Sequence, residues 1–159
     1  MRGKVLPVLL TLLWSLLVTF PATAAEFQPP GEEDRCPTCG MFVAGYPNWV
    51  SSMVFKDGSR VFFDGPKDLF RYFFDLGKYR PGGTPDDIEV IFVTEYYSMR
   101  SMAATEVYFV SGSDVLGPMG KEMVPVAGLE QARGFMRDHG GAKLMQFDGK
   151  ALVEVRAAE

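Results

Sequence analysis

Both cysteines of this chain fall in one short run, Cys36-Pro37-Thr38-Cys39-Gly40-Met41, with a thioether two residues past the second thiol. Two thiols and a methionine packed this closely are soft donors, and soft donors favour Cu(I). Two other chemistries compete for the same residues. A structural zinc half-site needs two further ligands, a second Cys pair or two His, and the chain has no other Cys and a single His. A thiol–disulfide oxidoreductase uses a Cys-x-x-Cys whose thiol pKa is lowered at a helix start. Here the pair stands at the start of the domain rather than after a first βα unit, and Glu32, Glu33 and Asp34 precede it, which raises a thiol pKa. A disulfide between Cys36 and Cys39 would close too small a loop to hold a fold together.

Other soft or nitrogen donors are scattered. Of nine methionines, Met1 is the initiator, while Met53, Met136 and Met145 sit in strand or helix patterns and read as packing. Met99, Met102 and Met123 are ambiguous. Met119 differs, because Gly117-Pro118-Met119-Gly120 holds it on a loop, from which it either plugs the core or is presented for use. His139 is the lone histidine, before Gly140-Gly141, where a cation at a helix C-terminus suits the helix dipole. No Ser-His-Asp set, phosphate-binding glycine loop or paired catalytic carboxylate stands out. Asp64, Asp68 and Asp114 read as caps and turn residues.

The compartment follows from the first residues. Arg2 and Lys4 precede a nearly unbroken apolar run, Val5 to Phe20, and Ala22-x-Ala24 has the small-x-small form that signal peptidase accepts. Residues 1–24 are expected to be a signal peptide cleaved near Ala24, in preference to an uncleaved anchor, which places the mature protein outside the cytoplasm. The signal carries two of the 16 basic residues with it, leaving 14 against 20 acidic, a net charge of −6. That sign, with no basic run, argues against a nucleic-acid partner.

The elements that must position the cysteines run twice through one pattern. Residues 25–35 read as a flexible lead-in with nothing to pack. Then come a strand from Val50 to Phe55, a turn at Lys56-Asp57-Gly58-Ser59, a strand from Arg60 to Phe63 and a helix from Pro66 to Leu76 capped by Asp64. A strand from Ile88 to Thr94 closes this first unit. The second has a strand from Thr105 to Val110, a turn at residues 111–114 and a glycine-flanked excursion over 115–120. A strand from Lys121 to Val126, a helix from Gly128 to His139 and a strand from Lys143 to Phe147 follow, with 151–155 as a partner for the last. The expected class is α+β: two related ββαβ units, 36–98 and 104–155, in one compact domain over 36–159.

These residues carry a resemblance. The Cys36–Met41 run, Tyr46-Pro47-Asn48-Trp49, Phe63-Asp64-Gly65-Pro66-Lys67-Asp68 and Tyr96-Tyr97-Ser98 are similar, in order, to blocks of the NosL family. So are Gly112-Ser113-Asp114-Val115-Leu116-Gly117-Pro118-Met119-Gly120 and His139-Gly140-Gly141. NosL proteins are accessory proteins of nitrous oxide reductase. The resemblance implies two ββαβ units akin to the substrate-binding part of organomercurial lyase. It implies a non-enzymatic periplasmic Cu(I) chaperone that delivers through an inner-membrane maturation complex to its reductase client, or to a related copper enzyme. Metal-ligand roles fall, on this resemblance, on Cys36, Cys39, Met41 and Met119, with His139 as the nitrogen donor. Many members are lipoproteins, whereas this sequence has no cysteine at the end of its apolar run, so no lipid anchor is expected. A monomer and a homodimer are both compatible with the sequence.

Overall fold

The computed structural model describes residues 25–155; the signal peptide expected over 1–24 lies outside the described residues. Among the described residues eight strands and three α-helices follow one another as β1 (Ser51–Phe55), β2 (Arg60–Phe63), α1 (Pro66–Phe74), α2 (Leu76–Tyr79), β3 (Ile88–Thr94) and β4 (Ser101–Ala103), then β5 (Val107–Gly117), β6 (Gly120–Ala127), α3 (Leu129–Asp138), β7 (Lys143–Phe147) and β8 (Leu152–Glu154). They form two four-stranded antiparallel sheets, ordered β2-β1-β3-β4 and β6-β5-β7-β8. The two orders correspond strand for strand, so the duplication expected from the sequence is real at the level of topology. Each unit carries one strand beyond ββαβ, and β4 extends the first unit past residue 98.

The β1–β2 turn is the one its residues require: Gly58 has φ 81°, a conformation that strains a residue with a Cβ. The second hairpin departs from expectation. No chain reversal occurs at residues 111–114. β5 continues to Gly117, its register with β6 shifts between Ser111 and Leu116, and the reversal comes at Pro118-Met119, between the paired residues Gly117 and Gly120. The expected excursion is therefore a long bulged hairpin, a form in which an unpaired residue bends and twists the strand.

α1 stops at Phe74 because Asp75 leaves helical geometry (φ −122°, ψ 39°), and one further turn, α2, follows. Its buried side chains, Leu69, Phe70, Tyr72 and Phe73, join the first unit to the second. Phe70 meets Phe109 of β5 edge-on at 5.0 Å, and Phe73 meets Phe147 of β7 at 5.1 Å. Each such ring contributes roughly 1.5–3 kcal/mol by burial. α3 covers the second sheet through Ala132 and Phe135. The lead-in is not without contacts: Phe27 packs edge-on against Phe92 of β3, and Arg60 donates to the Glu26 carbonyl. Among the described residues no helix is long and apolar enough to cross a membrane.

Candidate metal centre

The cysteine run is a tight, pre-formed loop. Arg35 and Phe42 pair as an isolated antiparallel bridge at its base. The Cys36 amide donates to the Met41 carbonyl and the Gly40 amide to the Cys36 carbonyl, each at 2.8 Å. The Arg35 guanidinium lies over the Phe42 ring at 3.6 Å and donates to the Gly40 carbonyl. Thr38 then pins the loop to α1, its hydroxyl donating to the Asp68 carbonyl at 3.0 Å. The thiols are thus delivered to the start of a helix, with Cys36 buried and Cys39 half-buried.

Two carboxyl groups meet them there. Asp64 follows β2 and Asp68 lies in the first turn of α1, both almost completely buried. Cys39 Sγ donates to Asp64 Oδ1 at 3.2 Å, and Cys36 Sγ lies 3.8 Å from Asp68 Oδ2. One ligand atom from each of the four lies within 4.8 Å of all the others. Asp64 is not the helix cap that its position suggests. Gly65 occupies the N-cap, and no side chain of its own caps the helix.

This environment decides the state of the thiols. A helix N-terminus ordinarily lowers a thiol pKa. Here burial pushes Cys36 up, and the neighbouring Asp64 carboxyl adds to the rise. Burial also pushes Cys39 far up, with Asp68 and Asp64 reinforcing it against the Met41 backbone. The metal-free pair therefore holds its protons at neutral pH and shares them with carboxyl groups as hydrogen bonds. Such a pair is a poor attacking thiolate, since exchange rates follow the thiolate fraction. The group could hold a metal ion, since an incoming ion can displace the protons.

The remaining expected ligands are placed unevenly. Met41 ends the cysteine loop, half-buried, beside a shallow hollow lined by Arg35, Phe42 and Tyr46. Met119 is presented rather than plugged in: it is 49% exposed at the tip of the β5–β6 hairpin. That tip is tied to the first turn of α1, where Lys67 Nζ donates to the carbonyls of Met119 (3.1 Å) and Lys121 (2.7 Å). His139 lies in the second unit. Its ring stacks on Phe135 at 4.4 Å, its Nδ1 is 3.0 Å from Asp114 Oδ1, and it is not part of the Cys–Asp group.

Three residues of this neighbourhood escaped the sequence reading: Asp64 and Asp68 as partners of the thiols, and Glu122. The spacing of Asp64 and Asp68, four apart across a helix start, was the available signal for a shared face. For Glu122 it was the strand period: residues 122, 124 and 126 share the inward face of β6, and all three are buried.

The NosL family model matches residues 28–150, a span that contains the cysteine loop, the α1 start, the hairpin tip and His139. The chain belongs to the NosL family. A solved NosL, the copper chaperone from Shewanella denitrificans, has the same fold, with a TM-score of 0.65 at 22% identity over 77% of this chain and 93% of that one. No curated protein matches the sequence. The family match covers both units of this NosL-family chain, so the paired sheets and the thiol loop belong to one architecture.

Proposed function

We propose that this chain is an exported Cu(I) chaperone that takes up one copper ion at Cys36 and Cys39 and passes it on by ligand exchange. The observation that carries the reading is the convergence of both thiols on the start of α1, in a loop held by its own hydrogen bonds and fastened to the same helix turn as the Met119 hairpin. Copper displaces the two thiol protons, which the metal-free site holds in contacts with Asp64 and Asp68, and they are released to solvent. Met41 and Met119 supply thioethers, which need no deprotonation and so bind where thiolates are scarce. Low coordination leaves the ion open to an acceptor's ligands, and transfer changes no oxidation state.

The family supports copper as the cargo. Delivery to nitrous oxide reductase or a related copper enzyme, through a maturation complex in the inner membrane, extends the proposal along the resemblance, as does the periplasmic location. His139 is the least favoured donor, because its ring would have to leave Asp114 and the Phe135 stack.

The test is an anaerobic Cu(I) titration of the reduced, signal-free protein against a competing chelator, with native mass spectrometry to count the ions. One tightly held Cu(I), absent from the Cys36→Ser/Cys39→Ser variant, is the expected result. Equal affinity in that variant would remove the assignment. Weak binding together with a rapidly cycling disulfide would transfer the function to thiol–disulfide exchange.

A further inference from the structure

The start of α1 is missing the groups that normally complete a helix. Its N-cap is Gly65, which has no side chain to accept a hydrogen bond, and Pro66 at the first helical position has no N–H. The first amide that needs an acceptor is that of Lys67. It donates to Glu122 Oε1 at 2.6 Å, and the same oxygen accepts from the Met123 amide at 2.9 Å. Glu122 comes from β6, in the other half of the chain, and is almost completely buried. The fit is close. A Cβ on Gly65 would collide with the Glu122 carboxyl, and one on Gly117 would crowd its side chain. The same lysine returns the connection, since its ammonium holds the carbonyls of Met119 and Lys121 on either side of the hairpin tip.

Lys67 and Glu122 thus form a reciprocal pair. Backbone of α1 binds a side chain of the hairpin strand, and a side chain of α1 binds backbone of the hairpin. Lys67 itself stands between Asp64 and Asp68, whose carboxyl groups hold the thiols. Motion of the Met119 tip relative to the start of α1 has to break one side of this pair.

We propose that Glu122 and Lys67 are positioning residues, a clamp between the two halves that holds the Met119 hairpin tip against the start of α1, where the thiols sit, and so sets how fast bound copper leaves. The clamp rests on the copper-carrying reading of the site. Neither residue supplies a donor to the ion. A docking partner that competes for Lys67 or for the tip carbonyls would open the clamp and free one side of the ion.

The test compares the copper-loaded wild type with Glu122→Gln, Lys67→Leu, Met119→Leu and the two clamp variants combined with Met119→Leu. Release is followed by stopped-flow transfer to a coloured Cu(I) chelator, and stoichiometry by native mass spectrometry. Each clamp variant should keep one Cu(I) per chain and release it faster, about tenfold for the Lys67 variant, which loses the ammonium's hydrogen bonds, and less for Glu122→Gln, whose amide oxygen still accepts. In the Met119→Leu background the same substitutions should add no further acceleration, because coupled residues are not additive. Lys67→Leu leaves the buried carboxyl in place and adds no donor, and so keeps the test open if Glu122→Gln folds poorly. Unchanged release in both clamp variants, or an equal acceleration with and without Met119, would overturn the clamp while leaving copper carriage standing. A wild type that holds no copper would remove the function itself and the clamp with it.

Discussion

Replacing Glu122 by Gln should flatten the dependence of stability on pH. Burial is the main force on its carboxyl and pushes the pKa from 4.5 up to about 7. The amides of Met123 and Lys67 and the Lys67 charge pull it down, and Asp68 pushes it up. Between those two values the folded chain keeps a proton that the unfolded chain has released. Stability therefore falls as pH rises through this window, because the unfolded state binds fewer protons there. The contribution is fully present below pH 4.5 and gone above about pH 7. At 1.36 kcal/mol per unit the shift amounts to about 3 kcal/mol. The side chain is almost fully buried, so little solvent screening reduces that figure. Urea unfolding of the reduced, metal-free protein at pH 5 and pH 8 measures it. Because pH 5 already lies inside the window, the wild type should lose roughly 2–3 kcal/mol more than Glu122→Gln over this interval, with all other titrating groups cancelling in the comparison. Asp57, Asp87 and Asp148 are held low by hydrogen bonds and finish titrating below the window. The two thiols titrate above it. Parallel curves for the two proteins would show that Glu122 keeps its charge in the fold, and the account of a strained buried carboxylate would be wrong.

Cu(I) affinity should rise steeply with pH near neutrality, with a slope of about two in log K per unit, because both raised thiols must surrender a proton; a flat profile from competitive titrations would show that the pair is already ionised. Met119→Leu should leave the thermal midpoint of the metal-free protein within a degree or two, since the side chain is half-exposed, and should weaken copper retention. A sharp fall in the midpoint would make Met119 a packing residue. His139→Ala should lower the thermal midpoint by loosening the Phe135 stack and the Asp114 contact, while changing Cu(I) affinity less than about twofold; a large loss of affinity would restore His139 as the nitrogen donor.

How far the fold could be read depended on whether local patterns decided it. β2, β3 and β7 fall where alternation and flanking turn residues placed them. β4 could not be found that way. Three residues, Ser101–Ala103, become a strand only because β3 offers its edge at Phe92 to Thr94. The Gly112-Ser113-Asp114 segment shows a different limit. Its residues do carry turn chemistry, and Gly112 has φ 81° with Ala142 packed where a Cβ would point. The local conformation was legible, but whether it reverses the chain or only bulges a strand is settled by pairing with β6 and β7.

The site repeats that division with more at stake. The thiols announced themselves by type and spacing. The acids did not, because an Asp before a helix is ordinarily its cap, and Asp64 stands where a cap belongs. What releases it from that duty is Glu122, 55 residues from the amide it binds. Since the second half of the chain completes α1, Asp64 can turn to Cys39 instead. A carboxyl engaged in capping would have left the thiol unpartnered and the helix N-terminus free to lower its pKa toward a reactive thiolate. The cap from the second half therefore does more than stabilise a helix: it leaves Asp64 to reinforce the burial that keeps the thiols protonated and guarded from exchange chemistry. The duplicated architecture brings this about, because only a second sheet packed on α1 can send an acid to the helix start from outside the helix's own sequence.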